Sequence, residues 1–136
     1  MLRKLGRVAG ITQDQEGLNV PPGQYVTSRF PVLTYGSPPK IDLNEWRFRM
    51  FGLVEEEAVF TLEDFMALPR VALTSDFHCV TQWSRLDNLW EGVTFREVAR
   101  HVRLRPEATY IMAHCYGGYT TNMALDVVLE AEGILA

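Results

Sequence analysis

Hydrophobic and polar positions fall into clear patterns over the middle and end of the chain. Trp46, Phe48 and Met50 alternate with Glu45, Arg47 and Arg49, the period-two signature of a half-buried strand. Gly52-Leu53-Val54 and a Glu55-Glu56-Glu57 turn lead to a short partner strand, Ala58 to Phe60, so the segment predicts a hairpin. Thr61-Leu62-Glu63-Asp64 has the capping-box form and places Leu62, Phe65 and Met66 on one face of a short helix that stops before Pro69. Val71 to Thr74 predicts a strand running directly into Asp76-Phe77-His78-Cys79. Thr94-Phe95-Arg96-Glu97 is a second capping box. Phe95, Val98, Ala99 and Val102 follow at helical spacing and predict an amphipathic helix over 95–102. Tyr110 to His114 alternates again as a strand, Gly117-Gly118 is a turn, and a short helix over about 124–132 is stopped by Gly133. Ile134-Leu135-Ala136 reads as the start of a further strand.

Residues 1–40 differ. They carry five of the seven prolines and no sustained period, which predicts an extended arm laid over a core formed by residues 41–136. Short strands mixed with short helices, without strict βαβ alternation, give an α+β class. At 136 residues and 47% hydrophobic the chain fits one domain that buries roughly two thirds of its surface without staples. The formal charge of −4 argues against a nucleic-acid partner. No apolar run approaches a membrane span. Met1 to Ile11 has basic residues but no apolar segment after them, so a cytoplasmic location is expected.

The two cysteines, Cys79 and Cys115, form no CxxC pair, which excludes a zinc ribbon and a c-type haem attachment. Cys79 follows a strand, beside His78 and Thr81 and close to Arg85, and a thiolate favoured by such neighbours is a nucleophile or a soft metal ligand. Local chemistry alone favours a small buried thiol. Zinc held by Cys79 with His78 or His114 matches no usual ligand spacing. Trp83 and Trp90 read as core, the Glu55–Glu57 run as a solvated turn and His101 as surface.

The stretch F-H-C-V-T-Q-W-S-R at 77–85, with W-E-G-V at 90–93, resembles the molybdopterin-binding domain of the sulfite oxidase-like oxidoreductases. That family includes the catalytic subunit of bacterial protein-methionine-sulfoxide reductase. The resemblance extends through P-P-G-Q at 21–24, R-F-P-V-L at 29–33, W-R-F-R-M-F-G-L-V at 46–54, Leu68-Pro69, Pro106-Glu107-Ala108 and Gly118 to Asn122. It implies a sulfite oxidase-type fold with a mixed sheet and short helices. It also implies a molybdenum-molybdopterin cofactor and two-electron oxygen-atom transfer on a small sulfur oxyanion or sulfoxide. A separate electron-carrier protein would be the partner, since no haem motif is present.

Carried over residue by residue, the resemblance makes Cys79 the molybdenum ligand. Thr27, Ser28, Arg29 and Phe30 match the pterin-contacting segment, and Arg29 would bind the cofactor phosphate or a substrate oxyanion, or else is a solvated arm residue. His78 would hydrogen-bond the pterin or serve as a structural histidine. Cys115 and Tyr116 lie where the family places a pocket-lining residue, although the simpler reading of Cys115 is an inward-facing strand residue. Two departures stand out. Gln82 replaces a glycine common in relatives, which would strain the backbone if that position needs a positive φ. The family's C-terminal third, with its phosphate-binding segment, has no counterpart here. That gap raises an alternative, a non-catalytic scaffold of the same fold acting by self-association or partner binding.

Overall fold

The computed structural model describes residues 20–34, 36–130 and 133–136. The expected arm and the basic start at Met1 therefore lie, over residues 1–19, outside the described residues. Among the described residues eight strands and three short helices follow one another, and they divide between two compact units.

Of the described residues, one unit holds 20–33 together with Leu73–Trp90. Here β1 (Tyr25–Val26) runs parallel to the start of β5 (Trp83–Thr94), with Tyr25 opposite Trp83 and Val26 opposite Ser84. β4 (Val71–His78) flanks β5 on its other side, so the order is β1-β5-β4. Both β4 and β5 extend into the second unit. The link from β4 to β5 is too short for anything but an antiparallel hairpin. Phe30, Phe77, Trp83 and Trp90 pack as an aromatic group. The Phe30 ring lies 5.8 Å from Phe77, 5.8 Å from Trp83 and 5.9 Å from Trp90. Trp83 is buried, as expected, and Trp90 is half-buried.

The other unit holds Thr34–Ala72 and Glu91–Ala136. β2 (Arg47–Met50) and β3 (Ala58–Thr61) form the expected antiparallel hairpin, with Phe48 opposite Phe60. α1 (Leu62–Met66) starts at a complete capping box. The Thr61 hydroxyl accepts from the Asp64 N–H at 3.1 Å, and Asp64 accepts from the Thr61 N–H at 3.0 Å. α2 (Phe95–Ala99) is shorter than the helix expected over 95–102. Beyond Ala99 the bonds tighten to i→i−3, from Arg100 to Glu97, His101 to Val98 and Val102 to Ala99, so the apolar period continues through a turn that is no longer α. β6 (Tyr110–His114) pairs with β7 (Thr120–Ala124) across the Gly117-Gly118 turn, where both glycines have positive φ. α3 (Leu125–Glu130) follows. The remainder of the helix expected to 132 lies outside the described residues. β8 (Ile134–Leu135) pairs antiparallel with the end of β5, Val93 opposite Leu135. Gly92 is required there, because a Cβ would collide with the Leu135 carbonyl oxygen.

The core of this unit is Val93, Phe95, Val98 and Leu125, with Phe48, Phe65 and Leu135 packed against it. Glu55, Glu56 and Glu57 are exposed, as is His101, whose ring stands 5.2 Å from Phe60. With β5 pairing parallel to β1 and antiparallel to β8, the architecture is the expected α+β arrangement of a mixed sheet and short helices. Among the described residues no helix is long and apolar enough to cross a membrane.

Candidate functional site

Cys79 opens the turn between β4 and β5. The Gln82 N–H donates to the Cys79 carbonyl at 3.0 Å, and the Cys79 N–H donates to the Trp83 carbonyl at 2.9 Å. Gln82 takes the left-handed conformation at φ 70, the one-residue bulge that lets a three-residue loop join twisted strands. The glycine-preferring backbone therefore carries a glutamine. The left-handed form costs a side chain about 1–2 kcal/mol and glycine's extra chain entropy recovers part of the difference, so Gln82→Gly is expected to stabilise the fold by about 0.5–1 kcal/mol in urea unfolding. A loss of stability would contradict this account of the turn.

The half-exposed Cys79 thiol accepts from the Thr81 hydroxyl at 3.1 Å. That bond foremost, then the Thr81 backbone N–H and, more weakly, that of Val80, hold the thiol below the ordinary cysteine pKa, against a smaller opposing effect of desolvation. Alkylation of Cys79 followed against pH is expected to reach half its maximal rate below the ordinary cysteine value. Thr81→Val should move that midpoint upward, and a midpoint unmoved by the substitution would contradict the assignment.

The arm segment lies against the same turn. The Tyr25 N–H donates to the Gln82 carbonyl and the Thr27 N–H to the Ser84 carbonyl, each at 2.9 Å. Gln24 Nε2 donates to the Cys79 carbonyl at 3.0 Å. A carbonyl only accepts, so the amide nitrogen must face it and Oε1 is left to accept from the buried Ser84 hydroxyl at 3.3 Å. Ser84 has one proton, and it goes to Gln24. His78 Nδ1, 2.8 Å from the Ser84 oxygen, must therefore donate, which leaves Nε2 outside this chain of bonds.

Thr27 is buried and turns the arm, its hydroxyl accepting from the Arg29 N–H at 3.2 Å. Arg29 is exposed, and its guanidinium has no ion pair among the described residues. The Ser28 carbonyl accepts from Arg85 Nε at 3.4 Å, and the Arg85 guanidinium stands 4.8 Å over the Phe30 ring. Thr27, Ser28, Arg29, Phe30, His78 and Cys79 are thus brought into one unit. Gln24 and Ser84 complete the arrangement and escape sequence reasoning, because their roles are hydrogen bonds between residues 60 apart in the chain.

Cys115 and Tyr116 belong to the other unit. Cys115 is not the inward-facing strand residue that alternation suggests: it is exposed and lies one position past the end of β6. Its N–H donates to the Tyr119 carbonyl at 2.9 Å and its carbonyl accepts from the Gly118 N–H at 3.1 Å, so the glycine turn begins at Cys115 and ends the strand's alternation. The Tyr116 hydroxyl accepts from the Arg47 N–H at 3.2 Å.

Two observations bear on whether a metal-pterin group fits around Cys79. Among the described residues no group of three His, Cys, Asp or Glu side chains stands together, and Cys79 is a soft sulfur donor of the kind a dithiolene-bearing metal group accepts. The buried indole N–H of Trp83, next to the turn, finds no acceptor among the described residues and is a donor left for a group with acceptor atoms. The residues present fit such a group.

Comparison with known proteins gives the family. The chain is 43% identical over 124 residues to the protein named uncharacterized oxidoreductase YuiH of Bacillus subtilis (strain 168), covering 90% of this chain and 62% of that protein. It is 28% identical over 114 residues to the putative protein-methionine-sulfoxide reductase subunit YedZ1 of Azospira oryzae, covering 82% of this chain and 43% of that one. Its fold is shared with the crystal structure of the sulfane dehydrogenase SoxCD from Paracoccus pantotrophus, at a TM-score of 0.58 and 19% identity over 68% of this chain and 28% of that one. The chain thus spans less than two thirds of each of these proteins. Residues 35–136 match the oxidoreductase molybdopterin binding domain, and on that match the chain belongs to this sulfite oxidase-like family.

Proposed function

We propose that the chain is the cofactor-holding part of a molybdenum-molybdopterin oxidoreductase that moves an oxygen atom on a small sulfur oxyanion or sulfoxide. The observation that carries this reading is Cys79: a half-exposed thiol, biased to thiolate by Thr81, at the head of a turn hydrogen-bonded on both sides. The bound group would supply two-electron oxygen-atom transfer and exchange single electrons with a separate carrier protein. Cys79 would give its thiolate to the metal, a soft donor suited to a centre that changes oxidation state. Thr27 holds the arm's bend while Arg29, exposed and without an ion pair among the described residues, offers a cation to the cofactor phosphate or to a substrate oxyanion. His78 presents Nε2, and Ser28 and Phe30 fix Arg85 beside the arm.

Molybdenum and pterin content of protein made in a cofactor-competent host, followed by turnover of a sulfoxide with an artificial electron donor, tests the reading. Metal and pterin near one per chain with turnover support it. Neither metal nor pterin would overturn it in favour of a non-catalytic scaffold. The exposed Tyr110 (69%) and Met112 (52%) on β6, apolar surface suited to association, favour that second reading.

A further inference from the structure

We propose that Gln24 is a positioning residue for Cys79. The inference rests on Cys79 being the metal ligand, since it concerns how that ligand is aimed. Both peptide groups flanking Cys79 are tied down. Its N–H donates to the Trp83 carbonyl at 2.9 Å, and its carbonyl accepts twice, from the Gln82 N–H and from Gln24 Nε2, each at 3.0 Å. A carbonyl has two lone pairs, and here both are used. The direction of the Cα–Cβ bond follows from these two peptide planes, and the Thr81 hydroxyl on the sulfur, at 3.1 Å, holds the remaining rotation about that bond. Among the described residues Gln24 is the one side chain from outside the hairpin that bonds to them, reaching across 55 positions of sequence.

Gln24 is itself held from two directions. Its N–H donates to the Pro21 carbonyl at 3.2 Å, and its Oε1 takes the Ser84 proton in the polarity that begins at the Cys79 carbonyl and ends at His78. The next residue, Tyr25, donates to the carbonyl of Gln82, the residue in the left-handed conformation. The arm therefore splints a turn whose own sequence disfavours it. A glycine at 82 would form this turn without strain, whereas a glutamine there needs the turn held from outside. Gln24 and Tyr25 supply that hold.

The test compares Gln24→Met, which keeps the length and loses both bonds, with Gln24→Glu, which keeps the acceptor toward Ser84 and loses the donor toward Cys79. In the cofactor-free chain, hydrogen exchange of the Gln82 amide, the donor to the Cys79 carbonyl, is expected to speed up roughly fivefold in both variants. The Thr27 amide, bonded to the Ser84 carbonyl, should keep its protection in Gln24→Glu. Amides of the β6–β7 hairpin act as the internal check that the fold persists. In loaded protein the visible thiolate-to-metal absorption should shift in both variants, a signature that general loosening elsewhere would not move. Unchanged Gln82 exchange together with an unshifted band would overturn the proposal. The exchange measurement needs no metal, so it stands apart from failure of the ligand assignment, which would appear in Cys79→Ser alone.

Discussion

Replacing Cys79 with serine is expected to lower oxygen-atom-transfer turnover by at least about a hundredfold, since even residues that only support a metal ligand cost ten- to a hundredfold when changed. The fold should hardly notice. Cys79 is half-exposed, and its turn is closed by backbone bonds to Gln82 and Trp83 that a serine keeps. Steady-state kinetics with a sulfoxide or sulfite, beside a urea unfolding curve, would show a collapse in turnover at an unchanged midpoint. Turnover within a few-fold of the parent would mean that Cys79 carries no chemistry. A shifted midpoint with lost turnover would instead point to the turn as a structural element.

The largest stability effect is expected at Phe95. It is 9% exposed, packs with Val93, Val98 and Leu125, and starts α2 directly after β5. Its N–H donates to the Gly133 carbonyl at 2.7 Å, so backbone and ring are fixed together and the surroundings have little freedom to close over a void. Phe95→Ala should cost about 3–5 kcal/mol by urea unfolding, the usual range for a large aromatic removed from a core that cannot collapse. A cost below about 1 kcal/mol would show this cluster to be looser than its packing indicates.

The contrast between what the sequence discloses and what it hides follows the range of the interactions. The Thr61 capping box, the Gly117-Gly118 turn and the alternation over 47–50 are visible because each is settled within a few residues. Among the described residues β5 is the longest strand, yet its residues show no simple alternation. Its burial changes rhythm around Asp87, which sits at φ 52, and Gly92 weakens the strand signal for a reason found only in the approach of the Leu135 backbone. β7, Thr-Thr-Asn-Met-Ala, is mostly polar and exists through its pairing with β6. β1 is two residues long and is a strand only because Trp83 and Ser84 lie beside it. At the site, the thiol and its strained neighbour Gln82 could be read from the motif. Gln24 could not, because nothing in a Pro-Pro-Gly-Gln sequence states which carbonyl its amide will reach.

The proposed function makes the Cys79 sulfur a ligand of molybdenum. Molybdenum-edge X-ray absorption, on protein loaded in a cofactor-competent host and on Cys79→Ser prepared in the same way, tests it most directly. One sulfur fewer around the metal is expected in the variant than in the parent. Equal sulfur counts in the two samples would contradict it and place the metal elsewhere.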